Sequence, residues 1–91
     1  MLERTLEIAI NGSTKRETIK IGLLLHARLK SKAAKKKVSM REYIRRAIAW
    51  KMGSDTKWNA NQFVNLRAKK ADNSRAQVVR DIVVDYMDTF R

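Results

Sequence analysis

The sequence predicts a mainly helical fold with a short N-terminal β element. Over most of residues 23 to 90, apolar side chains recur at spacings of three and four, which is typical of amphipathic helices. Residues 4 to 10 and 16 to 21 instead alternate apolar and polar side chains, the period of half-buried strands. The chain has 91 residues, the size of one small domain or of one domain with an extension.

The charge of the chain indicates a polyanionic partner. It carries 21 Lys and Arg against nine Asp and Glu, for a net charge of +12. Residues 11 to 51 hold thirteen basic residues against two acidic ones, whereas residues 52 to 91 hold seven against five. We therefore expect most of the affinity for a nucleic acid or another polyanion to lie in the first half.

The composition argues against several other classes of function. There is no cysteine, which excludes disulfides and thiolate metal sites. His26 is the single histidine and no carboxylates cluster, so we expect no metal, no cofactor and no enzymatic activity. The sequence has no apolar run of about 18 residues and no basic signal-peptide start, so we expect no membrane span and a cytoplasmic, nucleoid-associated location.

Two strands are predicted near the N-terminus. Residues 4 to 10 alternate with Leu6 and Ile8 on one face, and Asn11-Gly12 then marks a turn. Residues 16 to 21 alternate again and predict the second strand. The alternating positions on one of its faces are Arg16, Thr18 and Lys20.

A long helix is the alternative for this second segment. Thr14 and Glu17 fit the S/T-x-x-E capping pattern, so a helix could begin at Lys15 and continue to Lys37. Three β-branched residues and a glycine between residues 18 and 22 disfavour that helix.

Two helices are then predicted, at residues 23 to 36 and 40 to 52. Ser39 and Glu42 form a capping box that begins the second helix, and Gly53 is a natural stop. Three lysines precede the positive end of this helix dipole, where a phosphate binds favourably. The candidate phosphate contacts are Lys35, Lys36, Lys37, Ser39, Met40 and Arg41.

Two further helices are predicted at residues 60 to 71 and 75 to 90, the last one capped by Ser74 with Gln77 three residues later. An offset of 35 residues places Ser39 on Ser74 and brings the two helix pairs into partial register. The correspondence has two interpretations, a degenerate duplication or two amphipathic hairpins that obey the same capping rules.

The pattern TIKI-x16-VSMREYIRRAI, within residues 16 to 51, resembles the ribbon-helix-helix family of DNA-binding proteins, the Arc and Met repressor-like group. The resemblance implies a dimer in which each protomer gives one strand to an antiparallel ribbon that enters the major groove. It implies base contacts by Arg16, Thr18 and Lys20, and phosphate binding by the backbone N–H groups after Ser39. The implied dimer core consists of Ile19, Ile21, Leu25, Leu29, Ile44, Ala47 and Ile48.

The leading hypothesis is a dimeric, sequence-specific double-stranded DNA-binding protein. It would act as a transcriptional repressor or as an accessory factor for plasmid or viral DNA. Residues 1 to 53 would form the DNA-binding module, and residues 54 to 91 a helix pair that extends the dimer or recruits a partner. The alternative is a basic helical protein that binds RNA or a ribonucleoprotein, with residues 15 to 37 as one helix and Tyr43, Trp50 and Trp58 as candidates for base stacking.

Overall fold

The computed structural model describes residues 3–8, 17–53 and 59–90. Within them the chain forms two strands followed by four helices, which confirms the predicted fold class. Each helix begins at its predicted residue and ends within one residue of its predicted end. The elements in order are β1 (Glu3–Ile8), β2 (Glu17–Gly22), α1 (Leu23–Lys35), α2 (Met40–Met52), α3 (Ala60–Ala71) and α4 (Arg75–Thr89).

The two strands pair with each other within one chain. They run antiparallel, with Leu6 opposite Ile19. One face of this ribbon, which includes Ile8, Ile19 and Ile21, is buried against the helices. The alternation of apolar and polar residues in both strands therefore separates a core face from an outer face.

The extended conformation of residues 17 to 22 excludes the alternative of one helix from Lys15 to Lys37. The β-branched residues of this segment fit a pleated, half-buried surface better than a helix. The turn predicted at Asn11-Gly12 lies outside the described residues.

Side chains cap the starts of α2, α3 and α4. Ser39 Oγ accepts a hydrogen bond from the Glu42 backbone N–H at 3.0 Å, and Ser74 Oγ accepts one from the Gln77 N–H at 3.1 Å. Both bonds are the serine half of the predicted capping boxes. The reciprocal half is not formed, because the Glu42 side chain accepts from Arg46 and the Gln77 side chain bonds to Arg80 and Asp81. The cap of α3 is Asn59, which forms a reciprocal capping box.

The turns after α1 and α3 have the same backbone geometry, 35 residues apart. Lys37 and Asp72 both adopt the left-handed conformation, with φ of 58° and 52°. The N–H of the residue after each donates to the carbonyl of Ala33 in the first turn and of Ala68 in the second, at 3.0 and 2.9 Å. This is the Schellman ending of a helix. The correspondence seen in the sequence thus extends to the path of the backbone.

A single hydrophobic core joins the two helix pairs. α2 and α4 pack against each other, and they bury equivalent positions of the 35-residue correspondence, such as Ile44 with Val79 and Ile48 with Val83. The boundary predicted at residue 53 therefore falls between two helices that share one core.

The residues that the resemblance assigns to a dimer core are packed inside one chain. Leu25 is half-buried and packs against the core. The others are buried: Ile19, Ile21, Leu29, Ile44, Ala47 and Ile48. Their burial is thus accounted for by the helices of the same chain, and dimerisation stays a prediction.

Candidate nucleic-acid interface

The face of the β1–β2 ribbon that is turned away from the core is polar and exposed. Thr5 lies opposite Lys20, and Glu7 lies opposite Thr18. All four residues are exposed. A two-stranded antiparallel ribbon has the width that the major groove of DNA admits. This outer face could therefore contact base edges without any rearrangement of the core.

Two of the three predicted base contacts lie on this outer face. Thr18 and Lys20 are two residues apart on β2 and so share one side of the strand. Arg16 lies outside the described residues. Sequence reasoning missed Thr5 and Glu7, because the alternation of β1 indicated their face but not the strand with which β1 pairs.

Arg80 of α4 supports the second strand. Its Nη1 donates a hydrogen bond to the Lys20 carbonyl at 2.6 Å, and its Nη2 donates to Gln77 Oε1 at 2.8 Å. The guanidinium thereby satisfies a backbone acceptor of β2 and connects the strand to α4. Arg80 corresponds to Arg45 at the offset of 35 residues, and no local pattern of the sequence indicates its bond to β2.

The turn between α1 and α2 presents the predicted lysines to solvent. Lys35, Lys36 and Lys37 are all exposed. None of the three has a carboxylate within salt-bridge distance in the part of the chain that the structure describes. Their charge is therefore available to a polyanion.

The first turn of α2 places backbone donors next to these lysines. In the first intrahelical hydrogen bond, the Tyr43 N–H donates to the Ser39 carbonyl at 3.0 Å. The Glu42 N–H donates to Ser39 Oγ. The N–H groups of Met40 and Arg41 precede those bonds and lie at the positive end of the dipole. The Met40 side chain is half-buried, so its contribution to a phosphate site would come from its backbone.

The turn between α3 and α4 has the same shape but less positive charge. Lys69 and Lys70 are exposed there, but Asp72 stands at the position that corresponds to Lys37. Ser74 caps α4 as Ser39 caps α2. The two turns of one chain are therefore alike in backbone and unlike in electrostatics.

Carboxylates of α4 pair with basic side chains of the first helix pair. Arg28 contacts Asp88 at 3.2 Å, and Lys51 contacts Asp85 at 2.8 Å. Ion pairs as exposed as these contribute little to stability. Asp85 and Asp88 instead affect the distribution of charge. They neutralise basic residues of α1 and α2 outside the turn that bears Lys35, Lys36 and Lys37, so the unneutralised positive charge of the first helix pair is shifted toward that turn.

Four of the five aromatic residues that the structure describes form one cluster. The ring centroids of Tyr43, Trp50 and Phe90 lie 5.0 to 5.5 Å from that of Tyr86. Burial, and to a lesser extent the charge of Tyr86, raise the pKa of Tyr43 above its ordinary value of 10.0 despite the opposing effect of Arg28. Tyr43 is only 2% exposed and offers no face to a base.

The described residues contain no group of three or more His, Cys, Asp or Glu that could hold a metal ion. None of the helices that the structure describes combines the length and the apolar character that a bilayer crossing requires.

Comparison of the chain with models of protein families, with curated proteins and with solved structures gave no match. The resemblance to the ribbon-helix-helix family therefore stays a prediction that rests on the residues themselves.

Proposed function

We propose that this protein binds double-stranded DNA sequence-specifically by placing the outer face of its β1–β2 ribbon in the major groove. The observation that carries the proposal is a paired ribbon with an exposed polar face, joined to α1 and α2, whose connecting turn bears three exposed lysines. The proposed role is that of a transcriptional repressor or of an accessory factor for plasmid or viral DNA. The proposed location is the cytoplasm, at the nucleoid.

Different residues would contribute specificity and affinity. A lysine in the major groove contacts guanine O6 and N7, and a threonine contacts several bases, so Lys20 and Thr18 would read sequence. The resemblance adds Arg16 to this set. The lysine turn and the first N–H groups of α2 would bind the DNA backbone, which adds affinity that is independent of sequence and sensitive to salt.

The RNA-binding alternative receives less support from the structure. It depended on a single basic helix over residues 15 to 37, whereas residues 17 to 22 form a strand. Of its candidate stacking residues, Tyr43 is buried, Trp50 packs against Tyr86 and Phe90, and Trp58 lies outside the described residues.

Selection of bound duplexes from a random pool at near-physiological salt tests the proposal directly. Enrichment of a short common sequence is the expected result. Retention of duplexes without enrichment, or preference for a single-stranded RNA pool run in parallel, would contradict sequence-specific binding of duplex DNA.

Three alanine variants then separate the two kinds of contact on the selected site. Lys20→Ala should lose about 1 to 3 kcal/mol of binding free energy on that site and relax the preference at one base pair. Lys36→Ala should weaken binding to every duplex alike and reduce the slope of log K against log salt by about 0.9. Lys30→Ala, at an exposed position of α1 outside the predicted contacts, is the matched control. Equal losses on all duplexes for Lys20→Ala would argue against base reading.

A further inference from the structure

We propose, on the basis of the proposed function, that one chain forms the complete DNA-reading unit and that it recognises a non-palindromic site through Glu7 and Lys20. The resemblance implies a ribbon built from two protomers, in which both halves carry the same side chains. The ribbon of this protein is built from two different strands of one chain. Its two halves therefore present different side chains to DNA.

One chain contains the parts that such a reading unit needs. Both strands of the ribbon come from it, and so do two helix pairs with equivalent turns. The apolar face of α2 is covered by α4, which buries Val79, Ile82 and Val83 in the same core. A second copy is not required to bury Ile44 or Ile48, which are 1% and 0% exposed.

The edge of β2 is also engaged within the chain. Arg80 donates to the Lys20 carbonyl at 2.6 Å, and α4 lies against this strand. A strand of a second copy that paired at this edge would have to displace Arg80. One backbone acceptor of β2 is thus already bonded by a side chain of the same chain.

The register of the ribbon defines an approximate two-fold axis. A rotation of 180° about an axis perpendicular to the ribbon at the midpoint of the Leu6–Ile19 pair places each residue of β1 on the residue of β2 that is 13 positions later in the chain. The same rotation carries Ile8 onto Ile21, and both are buried. The core faces of the two strands therefore obey the symmetry.

The outer faces do not obey it. The rotation carries Thr5 onto Thr18, which are identical, but it carries Glu7 onto Lys20, which have opposite charges. All four residues are exposed. A ribbon built from two copies of β2 would have a lysine at both of these positions. The ribbon of this protein has the Glu7 carboxylate at one and the Lys20 ammonium group at the other.

The two charges select different bases. A lysine in the major groove donates to guanine O6 and N7, whereas a glutamate accepts from the N4 amino group of cytosine. In a palindrome, the symmetry-related guanines lie on opposite strands. Glu7 would contact a cytosine on the strand where a second lysine would contact a guanine. The guanine of this base pair therefore lies on the opposite strand from the one that a palindrome requires. The two guanines of the site then lie on the same strand.

Duplex selection with the full chain, with Glu7→Lys and with Asp81→Lys tests this inference. Asp81 is exposed on α4 and its side chain bonds to Gln77 of the same helix, so its change to lysine is a control for net charge. The native chain should select two guanines on one strand, and Glu7→Lys should move one of them to the other strand. The discrimination at that position should be about 5- to 150-fold. Asp81→Lys should leave the selected sequence unchanged.

Sedimentation of the native chain on its selected duplex should give one chain per site. The inference is overturned if the native chain selects an inverted repeat or if two chains occupy one site, although the proposed function would stand. It is also overturned if Glu7→Lys only tightens binding to all duplexes, as Asp81→Lys would, because Glu7 then merely repels DNA. Failure of the native chain to enrich any duplex would refute the proposed function itself.

Discussion

Val83 provides a quantitative test of the shared core. It lies on α4 in the second half of the chain and is 2% exposed, in the same core as Ile44 and Ile48 of α2. Val83→Ala removes two buried carbons, which costs about 1.6 kcal/mol in transfer free energy. The cavity left behind raises the expected loss of unfolding free energy to about 2 to 3 kcal/mol. For a domain of this size the melting temperature should fall by roughly 10 to 20 °C.

The assay is thermal unfolding by circular dichroism, together with amide hydrogen exchange resolved by helix. Because α2 and α4 share one core, the exchange of protected amides should accelerate in α2 as well as in α4. Val84→Ala is the matched control, since Val84 is the next residue on the same helix and is only half-buried. Its loss should be less than half as large.

Exchange that accelerates in α3 and α4 while α2 keeps its native protection would contradict a core shared by α2 and α4. That result would mean that residues 1 to 53 and 54 to 91 unfold as independent units. The expected result is a single unfolding transition in which both helix pairs lose amide protection equally. Residues 1 to 53 then depend on residues 54 to 91 for their fold, and truncation after Gly53 should unfold them.

Three further predictions concern the backbone and the buried phenol. Lys37→Gly and Asp72→Gly should each stabilise the protein by about 0.5 to 1 kcal/mol in chemical denaturation, because both positions have positive φ; a loss at both would argue against the left-handed turns. Gly53→Ala should cost about 1 to 3 kcal/mol in the same assay, since φ is 64° and ψ is −134° there. The cost is one of backbone strain, because among the described residues other than the chain neighbours no atom lies within 4 Å of an added Cβ. The folded-state pKa of Tyr43 lies above its unfolded value of 10.0. The free energy of unfolding should therefore be unaffected by Tyr43 below pH 10 and should fall as the pH rises from there toward the folded-state pKa. The reason is that the Tyr43 phenol loses its proton at a lower pH in the unfolded chain than in the folded one. Tyr43→Phe should lessen this alkaline loss, and an unchanged loss would rule out Tyr43 as its source.

The helices and their ends could be predicted from local patterns, because helix formation and capping depend on neighbours in the chain. Serine followed three residues later by Glu or Gln fixed the starts of α2 and α4 at their caps. Gly53 ended α2 as expected. β-Branched residues and alternation at residues 17 to 22 were sufficient to favour a strand over a helix.

How these elements combine follows from contacts between distant parts of the chain, which local patterns do not specify. The pairing of β1 with β2 depends on a register between segments separated in the chain, and it is this register that places Glu7 and Lys20 at related positions of one outer face. The packing of α4 on α2 and the bond from Arg80 to the Lys20 carbonyl also join residues about 35 and 60 apart in the chain. Local patterns specify which side of each element is apolar. They do not specify which other element covers that side, because any complementary apolar surface gains similar free energy from burial.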